Sequence, residues 1–163
     1  FAAVAIAFGL LVIGGRFIEW RMEISMCDEG GCRPYAPVSD WAIELKKAGF
    51  AQGTILGADK HLTGNLRGAF PRARVLDASV PPTAFPAPRG NGSCLVVWRE
   101  TKFDEERKVA VMPEALSKYL REKLGAQPRD DGAEGAIRRN LLQSSDKAAT
   151  LYYQFVPPSD ECR

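Results

Sequence analysis

Apolar residues along the chain fall into three kinds of run, and each kind predicts a different element. The first is unbroken. Phe1 to Gly15 (FAAVAIAFGLLVIGG) holds no charged or strongly polar side chain, and Arg16, Glu19, Arg21 and Glu23 then alternate with Phe17, Ile18, Trp20 and Met22. A soluble helix keeps a polar stripe, and this run has none. A signal peptide carries a positive region ahead of its apolar core, but the chain opens on Phe1 with no Lys or Arg before the run. A bilayer crossing takes about 20 apolar residues, slightly more than the run supplies. We therefore expect residues 1–22 to be the end of a transmembrane helix, with Trp20, Arg16 and Arg21 at the interface. A buried core helix and a signal peptide are the alternatives. The absence of an initiating Met leads us to expect further sequence before Phe1.

The second kind of run has helical spacing. Trp41, Leu45 and Ala48 fall at i, i+4 and i+7. Ser39 is placed to cap that helix, Asp40 suits its first turn, and Gly49 suits its end. Leu62, Leu66 and Phe70 predict a second helix ended by Pro71. Leu116, Leu120 and Leu124 predict a third, with Pro113 at its first position and Gly125 beyond it.

The third kind is short and bounded by Gly or Pro. Thr54–Ala58 (TILGA), Ala73–Leu76 (ARVL) and Cys94–Trp98 (CLVVW) read as strands. Strand, helix and strand over about 25 residues make a βαβ unit, with parallel strands and a right-handed crossover. Gly135–Leu142 and Ala149–Val156 read as a hairpin turned by Ser144–Lys147, because Tyr152, Tyr153, Phe155 and Val156 favour strands; a helix over Glu134–Gln143 is the alternative. Arg33–Val38 is Pro-rich and extended, and Val80–Gly92 and Gln127–Gly132 are loops. The fold class is α/β: a small three-layer domain with a mixed, partly parallel sheet of about four or five strands. The organisation is a transmembrane stub over 1–22, a linker over 23–38 with Cys27 and Cys32, and an extracytoplasmic α/β domain over 39–163.

Composition narrows the partners. A chain of 163 residues with 45% hydrophobic and 26% charged residues fits one domain that needs no metal to fold. A net charge of +2 does not supply the dense basic patch of a nucleic-acid binder, and Arg72/Arg74 and Arg138/Arg139 read as solvated surface. The four cysteines are Cys27, Cys32, Cys94 and Cys162. With no CxxC and one histidine, a zinc site is not supported. An even number of cysteines after a membrane segment fits two disulfides in an oxidising compartment. Pairing does not follow from sequence; Cys27–Cys32 and Cys94–Cys162 are the expected pairs, and four reduced thiols in a cytosolic domain are the alternative.

The chemistry-bearing residues cluster in one turn. The dinucleotide fingerprint and the Walker motif are absent, so no phosphate cradle and no cofactor is implied. The turn after the first strand, Gly57–Asn65 (GADKHLTGN), lies at the carboxyl end of a strand, where open α/β sheets bind ligands. Asp59, Lys60, His61 and Asn65, with Arg67, form the candidate ligand-binding set. His61 is a candidate general base, but no serine or cysteine motif accompanies it. The plainer reading is that Asp59 or Thr63 caps the helix and His61 lies on the surface. Glu105/Glu106 and Asp130/Asp131 sit in polar loops and do not establish a carboxylate pair for sugar chemistry.

An ordered string of residues carries a resemblance. Trp41, Glu44-Leu45, Ala48-Gly49-Phe50 and Gly53-Thr54-Ile55 lead into Asp59, His61-Leu62 and Gly64-Asn65-Leu66-Arg67. Phe70-Pro71, Ala73-Arg74-Val75, Pro81-Pro82, Cys94-Leu95-Val96-Val97-Trp98 and Cys162-Arg163 follow. Over nearly the whole chain this resembles the C-terminal region of bacterial family-39-type glycosyltransferases, the dolichyl-phosphate-mannose mannosyltransferase-like and aminoarabinose-transferase-like membrane enzymes. The resemblance rests on scattered identities. It implies an inner-membrane protein with the α/β domain on the periplasmic side, partnered by the rest of the enzyme's membrane domain and by a polyprenyl-phosphate sugar or its acceptor. The family's acidic catalytic residues lie in an early loop with no counterpart here, so the resemblance implies no catalytic residue and a chain inert by itself. A free-standing, membrane-anchored periplasmic binding module and a small α/β enzyme using Asp59 and His61 are the alternative functions.

Overall fold

The structure, a computed structural model, describes residues 2–25, 36–80, 92–99, 103–104, 109–125, 127–128, 133–142, 147–157 and 162. Its centre is the βαβ unit expected from the apolar spacing. Strand β1 (Gly53–Gly57), helix α3 (Lys60–Ala69) and strand β2 (Arg74–Asp77) follow one another, with β1 and β2 parallel and Ile55 opposite Val75. Strand β3 (Ser93–Arg99) lies parallel to β1 on its other side, Ile55 opposite Leu95. The expected hairpin is present as β6 (Gly135–Asn140) and β7 (Ala148–Val156), antiparallel to each other and joined to β3 through β7. The sheet is therefore mixed and five-stranded, in the order β2-β1-β3-β7-β6.

Helices cover both faces. Helix α2 (Val38–Lys47) and α3 bury Trp41, Leu45, Leu62 and Leu66 against Ile55, Val75, Leu95, Val97, Ile137 and Leu151. Helix α4 (Glu114–Lys123) buries Leu116 and Leu120 against Leu56, Leu76, Val96, Trp98 and Val156 on the opposite face. That double cover explains why Cys94–Trp98 is apolar at every position: a central strand with both faces buried does not alternate. Each Leu, Ile or Val buried there contributes roughly 1.5–3 kcal/mol. Trp98 also stacks on Tyr152, ring centroids 6.1 Å apart.

Several local expectations are corrected. Helix α2 starts earlier than its side chains suggest: Pro37, not Ser39, is the N-cap, and its carbonyl accepts from Trp41. Pro113 is likewise the N-cap of α4, not its first helical residue. Arg74, read as solvated, is buried at the start of β2. A two-stranded ladder, β4 (Phe103–Asp104) with β5 (Val109–Ala110), has no counterpart in the apolar pattern. The Cys27–Cys32 pair, residues 26–35 of the linker, most of the Val80–Gly92 loop, the Ser144–Asp146 turn, and the carboxylates Glu105/Glu106 and Asp130/Asp131 lie outside the described residues.

Cys94 and Cys162 form a disulfide, as expected, with Cα atoms 5.4 Å apart. It ties the amino end of β3 to the end of the chain, inside the α4-side core.

Helix α1 (Ala2–Ser25) is helical three residues past the boundary expected at 22. Among the described residues no helix is long and apolar enough to cross a membrane. The uncharged stretch of α1 ends at Gly15, so at 1.5 Å per residue it covers about 21 Å of the ~30 Å hydrocarbon core. Its large apolar side chains are nonetheless exposed around the helix, with Ile6, Leu10, Leu11, Val12, Ile13, Phe17 and Ile18 between 50% and 74% accessible. The side chains of Trp20 and Arg21, expected at the interface, lie outside the described residues.

Candidate functional site

The parallel strands β2, β1 and β3 deliver their carboxyl ends to one side of the domain. From β1 the chain leaves through α3 on one face of the sheet, and after β3 it continues to α4 on the other. Adjacent parallel strands whose connections depart to opposite faces define a topological switch point, the crevice where ligands settle in open α/β sheets. Asp59 follows β1 and Arg99 ends β3, so both belong to this crevice.

Local chemistry brings α3 close to the strand ends. Asp59 is extended and caps the helix, its Oδ1 accepting from the Leu62 amide at 2.9 Å. Gly57 makes the approach possible, because a Cβ there would run into the Thr63 methyl. Thr63 Oγ1 donates to Asp77 Oδ2 at 3.2 Å, and Asp77 Oδ1 accepts from the Ser79 amide at 2.7 Å and the Ser79 hydroxyl at 2.6 Å. Across the crevice, Arg99 Nη2 donates to Asp59 Oδ2 at 3.3 Å, with side chains only 14% and 21% exposed. A network of this kind fixes its members when every group is satisfied. Here Arg99 Nε is buried without a hydrogen-bond partner among the described residues.

The sequence-predicted set does not converge. Asp59 faces the crevice. His61 and Asn65, a helical turn apart, instead line a separate cleft of about 140 Å³ with Ala36, Pro37, Val38, Ser39, Asp40 and Leu142. Asn65 Nδ2 lies 3.4 Å from His61 Nδ1 and donates to the His61 carbonyl at 2.8 Å. Lys60 is exposed. Arg67 reaches the other way, Nη2 donating to the Val75 carbonyl of β2 at 3.1 Å. Asp59 and His61 therefore share a helix start but make no hydrogen bond to each other.

Arg99, Asp77 and Ser79 were not anticipated. The signal for Arg99 was present, a cation closing an apolar strand, but its meaning depends on β3 lying beside β1. On the α4 face, burial pushes the Tyr119 phenol above its ordinary pKa of 10.0, while nearby Arg74 pulls it down and Asp77 raises it. That phenol stays protonated at neutral pH. Among the described residues, no group of three or more His, Cys, Asp or Glu side chains could hold a metal ion.

The crevice can bind through charge and hydrogen bonds, but its described residues offer no nucleophile paired with a base. No family model, curated protein or solved structure matches the chain.

Proposed function

We propose that the chain is a non-catalytic accessory domain of a bacterial membrane glycosyltransferase that uses a polyprenyl-phosphate sugar, placed on the periplasmic side of the inner membrane. The observation that carries this reading is α1, whose apolar side chains are exposed around the helix beside a disulfide-closed α/β domain. Keeping such side chains in water forgoes about 1.5–3 kcal/mol apiece, which lipid or neighbouring membrane helices would recover. In this reading α1 supplies apolar length to a larger membrane-embedded assembly. The disulfide fits an oxidising compartment. The enzyme name rests on the resemblance of the ordered residues from Trp41 to Arg163.

The test is fractionation and transfer together. Alkaline carbonate should leave the full chain in the membrane pellet and release a chain lacking residues 2–25. The purified chain should transfer no sugar from a polyprenyl-phosphate donor. Release of the full chain by carbonate contradicts the membrane role, and transfer by the purified chain contradicts the accessory role. The cleft beside α2 favours a second reading, a free-standing, membrane-anchored periplasmic binding module.

A further inference from the structure

We infer that the crevice between the carboxyl ends of β1 and β3 binds an oxyanion, a phosphate or carboxylate group, and that Asp59 is its built-in competitor. The inference does not depend on the membrane role. It rests on which donors and acceptors are already occupied. A guanidinium carries five N–H donors. Among the described residues the Arg99 side chain makes one hydrogen bond, the 3.3 Å contact to Asp59, longer than the ~2.7–2.9 Å usual between charged partners. Its Nε is buried without a partner among the described residues.

Helix α3 adds donors on the other side. Its Leu62 and Thr63 amides donate to Asp59, while those of Lys60 and His61 meet no acceptor among the described residues, the usual state of first-turn amides unless something outside the helix meets them. Each crevice carboxylate oxygen already has a donor within reach: Asp59 Oδ1 the Leu62 amide, Asp59 Oδ2 Arg99, Asp77 Oδ1 Ser79 and Asp77 Oδ2 the Thr63 hydroxyl. Donors of Arg99 and of the first turn of α3 have no acceptor among the described residues, so a complementary ligand presents acceptors.

Geometry supports the same class. A single carboxylate, that of Asp59, touches both Arg99 and the first turn of α3. An oxyanion therefore fits between these partners, and Asp59 shows where. An incoming phosphate or carboxylate meets the planar fork of Arg99 with two hydrogen bonds, and it does so by displacing Asp59, whose like charge opposes it. The exposed Lys60 lies next to Asp59 in the chain and adds positive charge at the rim.

The competition gives the test its sign. The full chain in detergent micelles is titrated with inorganic phosphate and, separately, with a short-chain phosphatidic acid, and binding is read by calorimetry. Asp59→Asn removes the competing charge but keeps a good N-cap, so affinity should rise. Arg99→Gln should weaken binding roughly tenfold or more, the scale of a lost charge-assisted hydrogen bond. Arg99→Lys, a point charge without the fork, should fall between. Circular dichroism and the intact Cys94–Cys162 bond establish that each variant is folded. Binding of inorganic phosphate in this variant order supports a site for the free anion. The same order with phosphatidic acid alone supports a lipid-borne phosphate. The proposal is overturned if Asp59→Asn leaves affinity unchanged or lowers it, if Arg99→Gln binds like the wild type, or if neither ligand binds saturably.

Discussion

The two ends of β3 are held in opposite ways. At the amino end Cys94 is buried, opposite Val156 of β7, and covalently joined to Cys162. At the carboxyl end Arg99 is held by one ion pair, and part of its guanidinium is left without a partner among the described residues. Neither pH nor a dissolved anion exchanges the first contact; the second can trade Asp59 for another acceptor. A fixed end and an exchangeable end on one strand suit a domain that presents a site without rearranging its core. Catalysis would need more than this, because positioned acids, bases or nucleophiles must meet at a reacting atom.

Breaking the fixed end should have the largest effect. Cys94→Ala with Cys162→Ala opens a loop spanning a sequence separation of 68, and chain entropy then predicts a loss of about 4 kcal/mol. Urea denaturation should show a lower midpoint, and phosphate binding at Arg99 should survive wherever the chain remains folded. Loss of binding in the folded variant would mean that the two ends are coupled.

The exchangeable end responds to smaller changes. Gly57→Ala sets a methyl against the Thr63 methyl. Overpacking of this kind costs about 1–3 kcal/mol, and the Thr63–Asp77 hydrogen bond should weaken with it. Thermal melting measures the cost. Asp59→Ala removes the α3 cap and the partner of Arg99 together, for roughly 1–2 kcal/mol. Asp59→Asn should cost less, since the amide still caps. If both Asp59 variants melt with the wild type, the pair does not hold this end.

The smallest effect lies away from both ends. Glu44 joins α2 to β6, accepting from Arg139 Nη2 at 2.6 Å and from Lys47 at 3.0 Å. The Lys47 hydrogen bond, followed by that from Arg139, holds its carboxyl below the ordinary 4.5. A carboxyl lowered in the folded state contributes stability above its unfolded pKa and loses it as pH falls through the folded value. The melting temperatures of wild type and Glu44→Gln should therefore differ slightly at neutral pH and converge once the pH falls through the lowered folded value of Glu44. A difference that persists at lower pH would assign the effect to packing rather than charge.

Much of the fold was legible because it is local. The Leu62/Leu66 spacing, the uninterrupted CLVVW run and the aromatic strand of β7 each specify an element from a few neighbouring residues. Three features were not legible, two of them because they depend on distant chain segments. Arg74 looks like a solvated cation until α4 packs over the start of β2. Ser39 looks like a cap until the backbone turns two residues earlier, at Pro37, with the Val38 amide on the Ala36 carbonyl. Arg99 acquires a role only when β3 lies beside β1. The candidate site divided for the same reason: helical geometry turns His61 and Asn65 toward α2 and leaves Asp59 at the strand ends.

Placement outside the cytoplasm is best tested on cysteines in intact cells. Cells making the full chain are quenched and denatured in the presence of a thiol-alkylating reagent, and its peptides are mapped without reduction. The proposed function predicts a Cys94–Cys162 crosslink already formed in the cells. Both thiols found reduced and alkylated would contradict a periplasmic domain.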